Sequence, residues 1–187
     1  MLALLALFAL SRSGTSSKPD ALERPKVQTG GTDPNEWART RFEMLRLTLA
    51  TLSQSLSAAD IRRVSLSILA QYAHETARGR NEFDFNLGGW NAAAGEPFFR
   101  AAGAADPGRP VFKFAAFDDL ASAVRIQLER LRARFPSAVR LLVADPESSD
   151  WVEELGRRGY YTAKISDYAR AWAMHRAELG TLLAGVA

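Results

Sequence analysis

The chain has 187 residues, 47% of them hydrophobic, which suffices for one globular domain with a sizeable core and crowds out a second full one. It has no cysteine and two histidines, which excludes disulfide scaffolds, thiolate nucleophiles and histidine-rich metal centres, so no metal or cofactor is expected. The net charge of +3 is spread along the chain, and basic runs such as 130-RLRAR-134 are broken by apolar residues at helical spacing, so they read as a solvated helix face and no nucleic-acid partner is expected.

The opening 1-MLALLALFAL-10 is apolar and about half the length a helix needs to cross a bilayer. It reads either as an export signal or membrane tether, or as a cloning artefact or misassigned start; no basic residue precedes it and no small-x-small site follows. Residues 11–33, rich in Ser, Thr, Gly, Pro and charge, are expected to form a flexible linker. The ordered domain is expected over residues 34–187. Asp33 suits a helix cap and Pro34 a first helical turn.

A first helix is expected over 34–52, with Trp37, Phe42, Leu45, Leu49 and Leu52 at helical spacing. Ser57 begins a second helix, whose stripe of Ile61, Val64, Ile68 and Tyr72 continues toward Gly79, a natural stop. At 100° per residue, Glu75 falls about 40° from Ile61 and so on the inward face. Between residues 80 and 114 glycines and prolines break any helical pattern, leaving short strands at 97–101 and 111–114 as a small hairpin. Helices return over 117–134, 136–144, 149–158 and 166–184. The fold class is therefore mainly α, with a small irregular β-containing lobe around residues 80–114.

A carboxyl on an apolar helix face loses solvation of its charged form, so its pKa rises and it can keep its proton near neutral pH. That is the state a general acid needs to protonate a departing glycosidic oxygen. The alternative for Glu75 is an ion pair with Arg78 or Arg80. In the loop that follows, Asn86 and Asn91 place amides beside the aromatic faces of Phe83, Phe85 and Trp90, a combination that recognises N-acetyl groups and sugar rings. Gly88 and Gly89 permit close backbone approach. The alternative is a glycine-rich turn with buried aromatic anchors.

These residues carry a resemblance. Glu75-Thr76-Ala77-Arg78-Gly79, followed by Asn86-Leu87-Gly88-Gly89-Trp90-Asn91-Ala92, resembles the signature of bacterial β-N-acetylglucosaminidases that cleave peptidoglycan, a group that includes flagellar rod-associated muralytic enzymes and autolysins. The segments 114-FAAFDDL-120 and 159-GYYTAKISDYA-169 are similar to two later landmarks of that family, in the same order. The resemblance implies a lysozyme-like α+β fold and Glu75 as general acid. It further implies Tyr160 in the cleft as a catalytic or positioning tyrosine, with Asn86, Gly89, Trp90 and Phe85 contacting substrate.

The partner implied is the glycan strand of peptidoglycan, with extracytoplasmic placement and a monomeric chain. Ala77 and Arg78 stand where the family has glycine and tryptophan, and Gly88 and Asn91 where an aromatic and a lysine often occur. A second carboxylate has no clear motif match. Glu82, Asp84, Glu96 and Asp106 are the candidates, with Glu96 the best placed. Competing readings are a muramidase or lytic transglycosylase, and a glycan-binding or assembly module without turnover.

Overall fold

A computed structural model of the chain describes residues 22–53, 55–102 and 111–186. Six helices and one two-stranded sheet follow in the order α1 (Pro34–Leu52), α2 (Ala58–Thr76), β1 (Phe98–Ala102), β2 (Val111–Ala115), α3 (Leu120–Arg134), α4 (Pro136–Ala144), α5 (Asp150–Arg157) and α6 (Ile165–Leu182). The fold is mainly helical with a small β lobe, as the sequence pattern indicates. The N-terminal tether candidate and Asp106 lie outside the described residues. Among the described residues, no helix is long and apolar enough to cross a membrane.

Local chemistry starts the first two helices. The Asp33 carboxylate accepts the amide of Asn35 at 2.8 Å with Pro34 in the first turn of α1, and Ser57 Oγ accepts the amide of Asp60 at 3.1 Å at the start of α2. Helix α2 is the central element, packed against α1, α4 and α6. Both its flanks are therefore covered, and Val64, Ile68, Leu69, Ala70, Tyr72 and Ala73 are all buried. Trp151 and Trp172 meet edge to face at 6.0 Å, joining α5 to α6 in the same core.

The strands pair antiparallel, with Phe98 opposite Ala115 and Ala102 opposite Val111. The expected linker differs from the structure over residues 22–33. Backbone bonds join Arg24 to Phe98, Val27 to Asp84 and Thr29 to Glu82, and short bridges form at Glu23 and Gln28. The physical reason is an unpaired edge: the hairpin and the 82–84 segment offer free backbone donors and acceptors, and this strip satisfies them. Its polar composition masks that role because the backbone makes the bonds.

Helix α2 also ends before Gly79. Ala77 (φ 49°) and Arg78 (φ 56°) already take the left-handed conformation, ahead of Gly79 at φ 86°. Tertiary contacts close on Gly79 just after this turn. Gln28 Nε2 donates to the Gly79 carbonyl at 2.7 Å, and a Cβ at Gly79 would strike the Trp37 indole. The chain leaves the helix abruptly, with Glu75 in its last turn.

Candidate functional site

Glu75 is half-buried at the junction of α2, α6 and the 86–92 loop. Its Oε1 accepts the hydroxyl proton of Tyr168, on α6, at 2.6 Å. A side chain at Gly89 would place its first carbon 3.7 Å from Oε2, so that oxygen faces the loop backbone. Desolvation pushes the Glu75 pKa up, and hydrogen bonds from Tyr168 and Gln71 offset part of the rise. The ion-pair alternative is not realised: Arg78 pairs with Glu178, and Arg80 Nε donates to the Ala77 carbonyl at 3.2 Å. Burial also holds His74 and His175 below the usual histidine range, with His74 set edge-on against Tyr168 and facing His175. The carboxyl thus has burial to raise its pKa and, among the described residues, no paired cation to lower it.

A polar chain extends from Glu75 into the loop. Gln71, one turn before it on α2, contacts the hydroxyl of Tyr160 at 2.8 Å and that of Tyr168 at 3.5 Å. The Tyr160 hydroxyl donates to the Gly88 carbonyl at 2.7 Å, and the Gly88 amide donates to Gln127 Oε1 on α3 at 2.8 Å. Burial and the nearby Glu75 charge hold the Tyr160 and Tyr168 hydroxyls far above the ordinary phenol range. Both remain neutral donors at any working pH. Tyr160 thus lies beside the loop, bonded to the Gly88 carbonyl and to Gln71.

The other expected contact residues divide. Gly89 is exposed, with φ 62°, and faces Glu75. Asn86, only 5% exposed, is a correction to the expected groove lining. Its Nδ2 donates to the carbonyls of Trp90 at 2.8 Å and Ala115 at 3.1 Å, and its Oδ1 accepts the Trp90 amide at 2.9 Å. Holding the loop closed consumes the amide that a sugar acetyl group would need. Trp90 is likewise a correction, since its ring is 6% exposed and packs on Phe135 and Tyr160. Phe85 is half-buried, with φ 55°, and packs against the small cluster of Ala115, Phe117 and Ala123. These three residues shape the loop from inside, which is the buried-anchor alternative raised by the sequence.

None of the described candidates for a second acid is free beside Glu75. Glu82 is fully buried, taking bonds from Trp37 Nε1 at 2.6 Å, Arg41 at 2.6 and 3.2 Å, and Thr29 Oγ1 at 3.1 Å. It anchors α1 to the lobe. Asp84 accepts the Val27 amide at 3.3 Å and is mostly enclosed. Glu96 accepts the Ala93 amide at 2.7 Å and pairs with Arg130, which together hold its carboxyl below the usual range. It lines a separate recess of about 220 Å³ with Arg130 and Phe117. A larger apolar recess of about 580 Å³, walled by Leu49, Leu52, Val64, Ile68, Leu128 and Leu142, borders the first half of α2.

Sequence reasoning missed Gln71 and Tyr168 as site residues. The signal for Gln71 was present, because residues four apart share a helix face and Gln71 precedes Glu75 by one turn. Comparison of the chain with family models, curated proteins and solved structures found no match.

Proposed function

We propose that the chain is a peptidoglycan hydrolase that cleaves the β-1,4 bond after N-acetylglucosamine, with Glu75 as the general acid. One observation carries this reading: a half-buried carboxyl at a helix end, with a raised pKa, no cationic partner among the described residues, and one oxygen turned to an exposed glycine. The reaction needs that state. Glu75 gives its proton to the glycosidic oxygen as the C1–O bond breaks and the bonding electrons pass to that oxygen, and the resulting carboxylate then takes a proton from incoming water.

With Glu82, Asp84 and Glu96 all engaged in structural bonds, the route that suits this site uses a single protein acid. The substrate's own acetamido oxygen bonds to C1 as the leaving oxygen departs, and water later reopens that ring. Such a substrate implies an extracytoplasmic site of action. The one-acid arrangement equally favours a second reading, a lytic transglycosylase, in which an internal hydroxyl takes the place of water. A glycan-binding module without turnover is the reading left if no bond is cut.

Digestion of purified peptidoglycan followed by mass spectrometry separates the three. The expected products carry reducing N-acetylglucosamine ends, and Glu75→Gln lowers their yield by at least about a thousandfold, the scale of losing a proton donor together with its charge placement. Anhydromuramic ends would assign the transglycosylase. No release by the unmodified chain would leave the binding module.

A further inference from the structure

Glu75 has two carboxyl oxygens, and the one that holds the proton decides where the acid points. The surrounding hydrogen bonds determine it. A backbone carbonyl only accepts, so the Tyr160 hydroxyl, 2.7 Å from the Gly88 carbonyl, donates to it. That spends its single proton. Its 2.8 Å contact with Gln71 is then a donation from the amide nitrogen, which fixes the orientation of the Gln71 carboxamide.

The remaining N–H of Gln71 is shared between the Glu75 carboxyl and Tyr168, whose oxygen lies 3.5 Å away at the edge of hydrogen-bonding range. Tyr168 thus accepts from Gln71 and passes its own proton to Glu75 Oε1 at 2.6 Å. An Oε1 engaged as acceptor in a short hydrogen bond leaves the acid proton to Oε2.

We infer that Gln71 is a positioning residue that, acting through the Tyr160 and Tyr168 hydroxyls as well as on the carboxyl itself, keeps the acid proton of Glu75 on Oε2, the oxygen facing Gly89. The inference rests on the reading of Glu75 as the proton donor. It gives the acid a direction, over the 88–89 backbone, and gives the loop a hold on the acid: Gly88 is tied to Gln71 through Tyr160 and to α3 through Gln127. The same inventory makes a single rotation of the Gln71 amide costly, since its oxygen would then meet a hydroxyl whose proton is already committed.

Among the described residues, the groups that can perturb a titration of Glu75 are few. Gln71 and His74 lie on α2, Tyr168 and His175 on α6, and Tyr160 and Tyr161 precede α6; Arg78 is held in its pair with Glu178. Tyr161, stacked on Tyr168 at 3.7 Å, titrates only at about 12. The histidines are untouched by the substitutions below.

The test is a carbon-13 NMR titration of the Glu75 carboxyl, assigned by its absence in Glu75→Gln, in the unmodified chain, Gln71→Met, Tyr168→Phe and the double variant. Methionine keeps the length of Gln71 and removes its donors. Freed from Gln71, the Tyr168 hydroxyl can turn and accept from the protonated acid, so the Glu75 midpoint moves up in Gln71→Met. That rise shrinks when Tyr168 is already phenylalanine. On peptidoglycan, Gln71→Met loses roughly ten- to a hundredfold in kcat with KM nearly unchanged, the pattern of a misaimed donor.

An unshifted midpoint in folded Gln71→Met, or a rise of equal size with and without the Tyr168 hydroxyl, overturns the inference. If the methionine chain does not fold, Gln71→Leu serves with and without the Tyr168 hydroxyl: it removes the donors without adding charge, and an unshifted midpoint or an equal rise in both backgrounds is equally fatal. The titration needs no turnover. A chain that cuts no glycan would therefore defeat the proposed function while the proton placement is judged by NMR alone.

Discussion

Burial raises the pKa of Glu75 and, by the same physics, makes its ionised form a liability to the fold. Its folded pKa lies above the ordinary value of 4.5, so between the two values the native state binds more protons than the unfolded one. Stability therefore falls as pH rises through that window, and the penalty is complete above the folded pKa. Glu75→Gln resembles the protonated acid in shape and still accepts from Tyr168 through its oxygen. The variant is expected to be more stable than the unmodified chain at pH 7 by urea denaturation, with the gain vanishing below pH 4.5. A constant difference across pH would contradict burial as the cause. Glu82, seven residues on, is fully buried yet receives four side-chain hydrogen bonds, including two from Arg41. Helical phase made Glu75 legible in the sequence. Gln71 and Tyr168 were less so, because their roles arise only where α2 meets α6, nearly a hundred residues apart along the chain.

At the level of elements, caps and stripes were readable, and so were the stops of α1 at Leu52, α3 at Arg134 and α4 at Ala144, whereas the stop of α2 was not. Asp33 and Ser57 start α1 and α2 through bonds made within three residues, which local sequence encodes directly. The end of α2 is different, since Gln28 and Trp37, from other segments, close on Gly79 just after the turn at Ala77 and Arg78. Two consecutive left-handed residues with side chains store strain beside the acid, as sites of function often do. Ala77→Gly relieves one of them and is expected to raise unfolding stability by about 1 kcal/mol, read from the urea midpoint at unchanged slope. A loss of stability would mean that the alanine side chain packs more usefully than its backbone is strained. The 22–33 strip was illegible for another reason: polar, glycine-containing sequence describes a linker and a backbone-bonded edge strip equally well. Gly30 marks the difference, because any Cβ there would collide with the Gly79 carbonyl.

At the scale of the whole molecule, the small lobe meets the helical body at α1 through Glu82, at α3 through Glu96 and Phe85, and along a seam formed by the end of α2, the 86–92 loop and the Tyr160–Tyr168 segment. Asn86, Trp90 and Phe85 keep the loop side of that seam rigid from inside, while Gly88 and Gly89 bring its backbone to the carboxyl. The expected aromatic groove lining became internal support, because a short loop across a helical core has to bury its large rings before it can display them. The most direct measurement compares two titrations of one protein: the pH dependence of kcat/KM for peptidoglycan cleavage and the carbon-13 titration of the Glu75 carboxyl. Cleavage should fall on the alkaline side with the same midpoint at which Glu75 loses its proton, and that limb should be absent from the residual activity of Glu75→Gln. Cleavage that persists unchanged above the Glu75 midpoint would show that another group supplies the proton.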